Sequence, residues 1–213
     1  MIKAVIFDLD GVICSTDKYH YQAWKQLADE LGVFFNKEIN NRLKGVSRTE
    51  SLDILLEKSE KKYSLEEKQE LAKKKNDIYR NLLKNMDVNS VSSDVLKTLY
   101  ILKRKGIKVA IGSSSKNTMY ILERTGLDNC FDAIADGTQI TKSKPDPEVF
   151  LLAAKKLNLE PNDCVVVEDA KTGIDAANAG RFVSIGINDA ADYCETKYRI
   201  KKVSDILNII NEL

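Results

Sequence analysis

The sequence predicts an α/β protein: a doubly wound parallel sheet with a small all-helical cap inserted after the first strand. Three observations predict it. Short, continuous apolar runs alternate with helix-patterned stretches at regular spacing. Several of these runs are followed at once by acids or hydroxyl-bearing residues. Residues from about 15 to 86 hold no clear strand-like run and carry helix signals instead.

The first strand is Ala4 to Leu9. Continuous rather than alternating apolar character fits a strand buried on both faces, as in a parallel sheet. Further strands are expected at Ile107 to Gly112, Phe131 to Ala135, Cys164 to Val167 and Phe182 to Ile187. The third of these is short, carries Asp132 and ends at Asp136. Helices are expected at Val95 to Lys105, Thr118 to Thr125, Pro147 to Leu157 and Thr172 to Asn178.

In the insert, His20, Trp24, Leu27 and Leu31 fall on one face of a helix. Ser47-Arg48-Thr49-Glu50 and Ser64-Leu65-Glu66-Glu67 fit the capping box, each opening a further helix. Lys58 to Lys75 is rich in Lys and Glu and is expected to be a solvated helix surface. The chain returns to the sheet near Asp87. The expected division is 1–14 with 87–213 for the α/β core and 15–86 for the cap.

Composition narrows the function. Of 213 residues, 33 are Lys or Arg and 32 are Asp or Glu, a net charge of +1. A general nucleic-acid binder is usually strongly basic, so none is expected as partner. No apolar run approaches the ~20 residues of a membrane span. Asp8 and Asp10 interrupt the N-terminal apolar stretch too early for a signal peptide. The expectation is a cytoplasmic protein without membrane contact, and a monomer. Cys14, Cys130, Cys164 and Cys194 have no metal-type spacing and are expected to be reduced thiols.

Ligands of open α/β sheets bind at the carboxyl ends of the strands. Four segments at or after such ends carry suggestive residues. Asp8-Leu9-Asp10-Gly11 offers two carboxylates able to divide labour between nucleophile or metal ligand and proton carrier. Alone, the same pair equally suits a turn cap and a surface acid. Gly112-Ser113-Ser114-Ser115-Lys116-Asn117 precedes a helix, where hydroxyls and N–H groups suit an anion or simply cap. Lys144, held in extended backbone before Pro145, could be aimed at a phosphate or a carboxylate. Glu168-Asp169 suits a hard cation such as Mg²⁺. Acid pair, hydroxyl, lysine and acid pair, in that order, form the pattern of a phosphoryl-transfer site. There is no Walker A sequence and no G-x-G-x-x-G, which disfavours a nucleotide-dependent kinase.

With these motifs in place, the sequence resembles the haloacid dehalogenase superfamily of aspartyl-phosphate enzymes. Its helical insert is similar to the small cap of the β-phosphoglucomutases within that superfamily. The resemblance rests on Asp8 to Ile13, Thr16, His20, Trp24, Lys44 to Arg48, Ser113 to Asn117, Phe131 to Asp136 and Lys144-Pro145. It implies Asp8 as the nucleophile and Asp10 as general acid and base, with the Asp10 carbonyl also on Mg²⁺. Asp8, Glu168 and Asp169 would complete the metal shell, Glu168 through water. Lys144 and Ser113 would hold the transferring phosphoryl group. Thr16, His20 and Lys44 would couple cap closure to the positioning of Asp10.

A mutase needs a second phosphate site away from Asp8, because its sugar bisphosphate must rebind with either phosphate inward. Arg48 with Lys116 and Asn117 is the candidate, since Arg grips phosphate through two donors. At the start of a helix a cation is unhelpful to the dipole, which favours an anion-binding role. Trp24, Gly45 and Val46 would border the sugar, with Ser47 and Ser114 also facing substrate. Ser15 and Ser114 depart from the family pattern, as does Val91-Ser92-Ser93-Asp94, which lacks a Pro-Gly at the re-entry to the core. None removes a core catalytic residue.

The leading expectation is interconversion of β-glucose 1-phosphate and glucose 6-phosphate, with glucose 1,6-bisphosphate as primer and intermediate. A phosphatase acting on small sugar phosphates is the alternative. A catalytically silent sugar-phosphate binder is a third reading, disfavoured by the intact pair Asp8 and Asp10.

Overall fold

The computed structural model describes residues 1–43 and 46–213. Six strands form one parallel sheet: β1 (Ala4–Phe7), β2 (Lys108–Gly112), β3 (Ala133–Ala135), β4 (Cys164–Glu168), β5 (Val183–Gly186) and β6 (Tyr198–Arg199). Their spatial order is β3-β2-β1-β4-β5-β6. The chain winds outward from β1 through β2 and β3, then restarts at β4 on the other side. This reversal opens a crevice at the carboxyl ends of β1 and β4, where doubly wound sheets take ligands.

The period of two along each strand divides the core into two layers. Val5, Phe7, Val109, Ile111, Val165 and Val167 face α5 (Ser93–Arg104), α6 (Thr118–Thr125) and α9 (Ile206–Glu212). Ala4, Ile6, Ala110, Cys164 and Val166 face α7 (Glu148–Lys156) and α8 (Lys171–Ala179). Both faces are covered, which explains why these strands lack apolar–polar alternation.

Between β1 and β2 lies a helical segment: α1 (Asp17–Leu31), α2 (Lys37–Arg42), α3 (Arg48–Leu56) and α4 (Leu65–Leu83), followed by α5. It has its own core of Trp24, Leu27, Ala28, Val33, Phe35, Leu43, Leu52 and Leu55. Both expected capping boxes form. Ser47 Oγ accepts from the Glu50 N–H at 3.3 Å while Glu50 accepts from the Ser47 N–H at 2.9 Å. Ser64 and Glu67 repeat the exchange at 3.2 and 2.8 Å. Tyr19 and Ala23 of α1, with Tyr79 and Leu83 of α4, join the apolar core beneath the sheet. The insert is thereby rooted where it leaves and re-enters the sheet.

Some elements differ from the sequence expectation. β3 starts at Ala133 rather than Phe131. Asp132 lies ahead of it, its carboxylate accepting from the Val109 N–H at 2.8 Å. The two-residue β6 is too short for any apolar pattern to mark it. α2 is polar and buries no residue; Asn36 initiates it by accepting from the Ile39 N–H at 3.0 Å. At the re-entry to the sheet, Ser92 caps α5 through the Val95 N–H at 3.2 Å. The four cysteines are free thiols. Among the described residues, no helix is long and apolar enough to cross a membrane.

At the end of β2, Phe150 from α7 packs directly over Gly112. A Cβ there would stand 2.6 Å from Phe150 Cδ1 and 3.1 Å from Ile6 Cγ2. Gly112→Ala is therefore expected to overpack this layer and destabilise the fold by about 1–3 kcal/mol. The check is a lowered urea midpoint with an unchanged m-value.

Candidate active site

Parallel pairing sets Phe7 opposite Ile111 on one side and Val167 on the other. The next residue along each strand therefore reaches the same edge: Asp8 from β1, Gly112 and then Ser113 from β2, Glu168 from β4. The Asp8 N–H donates to the Val167 carbonyl at 2.9 Å, extending the ladder and fixing Asp8 beside Glu168. Above this edge, between sheet and insert, lies a cleft of about 980 Å³.

Lys144 comes from the loop after β3 and is only 3 % exposed. Its Nζ donates to Asp8 Oδ1 and to Glu168 Oε1. Glu168 Oε2 accepts from the N–H groups of Asp169 and Ala170 at 2.9 and 3.0 Å. Glu168 is thus an anchor for Lys144. Burial pulls the Lys144 ammonium toward neutrality, but Asp8 and Glu168 outweigh it and hold its pKa above the ordinary value. Burial pushes the Asp8 carboxyl up to about 8, against Lys144 and with the help of Glu168 and Asp10. Burial raises Asp10 to about 6, opposed by the Thr16 hydroxyl, which donates to Asp10 Oδ1.

The acids of this edge suit a hard cation. Asp8, Asp10, Glu168 and Asp169 all line the cleft near one buried lysine. Gly11 has φ +81°, and a Cβ there would fall 2.0 Å from Asp169 Oδ2, so only glycine lets Asp169 lie against the Asp8–Gly11 loop. Among the described residues, no three His, Cys, Asp or Glu side chains form a ready metal cage. Glu168 is turned to Lys144 instead. Two carboxylates with a loop carbonyl and waters is a donor set that fits Mg²⁺, which retains much of its hydration.

The β2–α6 loop presents Ser113, whose hydroxyl accepts from the Ser115 N–H at 3.2 Å. Ser114 Oγ is buried without a hydrogen-bond partner among the described residues. Lys116 is exposed on the cleft rim. Asn117 is buried and its carboxamide is engaged by α4: it donates to Asn76 Oδ1 at 2.9 Å and accepts from Arg80 at 3.2 Å. From the insert, His20, Trp24, Val46, Ser47 and Arg48 line the cleft. The Ser47 hydroxyl is committed to capping α3. Thr16 is wholly buried behind Asp10 and does not line the cleft. Lys44 and Gly45 lie outside the described residues.

Lys75 corrects the expectation of a solvated surface from Lys58 to Lys75. It is 2 % exposed and lines the cleft. Its Nζ lies 2.9 Å from His20 Nδ1, and over the rings of Trp24 and Tyr79 at 4.6 and 4.7 Å. The His20 ring packs on Tyr79 with centroids 4.1 Å apart. Burial, then Lys75 and Arg48, hold His20 well below the usual imidazole range, so its neutral ring can accept from Lys75. The signal for Lys75 was its phase: it precedes Tyr79 by four residues and Leu83 by eight, on the buried stripe of α4.

Burial, then Arg48, lowers the Lys75 pKa to about 7, with Asp10 opposing. The folded pKa lies below the unfolded one, so the unfolded chain binds the extra proton between them. The penalty for burying the charge is full below about pH 7 and fades as pH rises toward the ordinary lysine range. Lys75→Met is expected to raise the urea midpoint most at pH 6, with the gain shrinking steadily by pH 9. A gain independent of pH would show that the titration is not responsible.

The sequence profile of haloacid dehalogenase-like hydrolases matches residues 2–181. The β-phosphoglucomutase of Bacillus subtilis is 39% identical over 214 residues, covering 99% of this chain and 95% of the relative. The phosphorylated carbohydrates phosphatase of Thermotoga maritima is 33% identical over 221 residues and covers all of both chains. The crystal structure of a β-phosphoglucomutase from Clostridium difficile superposes with a TM-score of 0.93 at 39% identity, covering 100% of this chain and 96% of that one. Its sheet edge of paired acids and lysine, and its full-length likeness to phosphomutase and phosphatase alike, make this chain a member of the haloacid dehalogenase-like hydrolases.

Proposed function

We propose that this enzyme is a Mg²⁺-dependent phosphomutase that interconverts β-glucose 1-phosphate and glucose 6-phosphate. The observation that carries the reading is one cleft with cations at two separate places. Lys144 stands beside Asp8 on the core, and Arg48 lines the same cleft from the insert, with Lys116 at its rim. A sugar bisphosphate needs such a pair of places; hydrolysis of a monoester needs only the first.

Asp8 is the nucleophile. Its carboxylate attacks phosphorus while Asp10 protonates the departing sugar oxygen. In the second half, Asp10 takes the proton of the acceptor hydroxyl and the phosphoryl group leaves Asp8. Lys144 and Ser113 bind the phosphoryl oxygens as charge redistributes. Asp8, Asp169 and the Asp10 carbonyl would hold Mg²⁺, with Glu168 reaching it through water. Members of this family typically depend on that ion, which would screen the repulsion between carboxylate and phosphate dianion. The insert, residues 15–86, serves as a cap over the core of 1–14 and 87–213. His20 and Trp24 close over the sugar, and closure excludes water as competing acceptor.

The alternative is a sugar-phosphate phosphatase, since Asp8, Asp10, Ser113, Lys144 and Asp169 would serve both reactions. The test is incubation with β-glucose 1-phosphate, Mg²⁺ and a trace of glucose 1,6-bisphosphate, following glucose 6-phosphate and free phosphate together. Glucose 6-phosphate with little free phosphate is expected. Free phosphate alone would establish the phosphatase. Asp8→Asn should abolish turnover while the fold persists. Arg48→Ala should lower mutase turnover roughly 100-fold through lost positioning, and hydrolysis of a simple phosphate ester far less. Equal losses would refute the second phosphate site.

A further inference from the structure

Thr16 stands at the N-cap of α1, where a threonine hydroxyl ordinarily accepts an N–H from the first helical turn. Here its side chain makes no such bond. The hydroxyl is diverted to Asp10 Oδ1. A threonine hydroxyl has one proton and two acceptor sites. With that proton on Asp10, any further partner of Thr16 must be a donor.

Tyr79 of α4 supplies one. It is 1 % exposed, and its buried hydroxyl has no hydrogen-bond partner among the described residues. Its ring packs on His20 in the first turn of α1, where the His20 N–H donates to the Thr16 carbonyl at 3.0 Å, so Tyr79 stands against the turn that Thr16 opens. Thr16 and Asp10 are among the polar groups that act on its hydroxyl. The ring packs against His20 at 4.1 Å and Lys75 at 4.7 Å, which are themselves in contact at 2.9 Å. A buried donor without a partner, at the turn of a hydroxyl to which no hydrogen bond is donated among the described residues, makes a bond between the two favourable.

We propose that Tyr79 is a positioning residue for Asp10: its hydroxyl donates to Thr16, which in turn donates to the Asp10 carboxylate. The relay joins α4 of the insert to the Asp8–Asp10 loop of the core. Asp10 is then held in its working orientation only while α4 is packed against the start of α1. The role given to Asp10 rests on the function proposed above; the relay itself rests on the three side chains.

The test uses the full chain and a double-mutant cycle between Tyr79→Phe and Thr16→Val, read as kcat and KM for glucose 6-phosphate formation. The same cycle is read on 4-nitrophenyl phosphate, whose aspartyl phosphate requires Asp10 to activate water. Tyr79→Phe is expected to lower kcat roughly tenfold and leave KM within about twofold, the signature of lost orientation. Its Tm should fall only slightly, by the loss of one buried hydrogen bond, so that the change in kcat is not one of folding. In the Thr16→Val background the same change should have no further effect, because the link is already gone. Thr16→Ser, which keeps the hydroxyl, should keep the dependence on Tyr79. Wild-type kcat in Tyr79→Phe, or a full further loss on top of Thr16→Val, overturns the relay. Coupling seen on the aryl phosphate, in an enzyme that makes no glucose 6-phosphate, would refute the mutase reading and retain the relay.

Discussion

The lysine that Asp8 and Glu168 share is the constraint on which the rest of the site depends. Parallel pairing places two carboxylates side by side at the edge of β1 and β4, both buried. Two such charges repel, and each has lost its hydration. Lys144 resolves both problems by donating to one oxygen of each. Glu168 is further fixed by two backbone N–H groups at the start of the β4–α8 connection. That leaves Lys144 no freedom to retreat from Asp8. Strand register sets the two acceptors side by side, and the loop after β3 brings the buried ammonium to both. Preorganisation of this kind is what a developing negative charge requires.

The core half of the site was legible in the sequence because its residues follow strands in the chain. Asp8, Ser113 and Glu168 end or follow apolar runs whose burial on both faces makes them easy to recognise. α6 runs from Thr118 to Thr125 as its apolar spacing indicates. β6 escaped because two residues carry no period, and α2 because it buries nothing. The cap half was legible only in outline. His20 and Lys75 lie 55 positions apart, and their contact arises from the packing of α1 on α4. Lys75 also sits in a stretch of Lys and Glu whose other members are largely solvated, so local composition concealed it. The buried phase shared with Tyr79 and Leu83 was the informative signal, since a charge on an apolar stripe must have a reason to be there.

α4 is the element through which the insert senses the core. Lys75 meets His20 and Trp24 on the cleft side. One residue further on, Asn76 accepts from Asn117, and one turn beyond that Arg80 donates to the same carboxamide. Arg80 also lies over the Tyr120 ring at 4.3 Å. These contacts cross from the insert to the loop that carries Ser113 and Lys116. A ligand that shifts that loop therefore also shifts the groups that hold α4 in place. Coupling of this kind needs no special hinge chemistry; it needs one helix with partners on both sides of a cleft.

Both walls of the cleft hold charged groups that folding has taken out of water. On the core wall, buried acids outnumber Lys144, and burial drives Asp8 and Asp10 toward their neutral forms. On the insert wall, burial and then Arg48 lower Lys75, and burial lowers Arg48 against Asp77 and Tyr79. Direct pairing across the cleft would satisfy both walls and leave nothing to bind. Instead about 980 Å³ of space separates them. A cation at the acids and a dianion at the bases would each relieve one wall. A phosphate ester bound with Mg²⁺ supplies both in a single ligand. The unfavourable burial on each wall would then contribute to the affinity for such a ligand, because its binding would restore charge balance that folding alone does not provide.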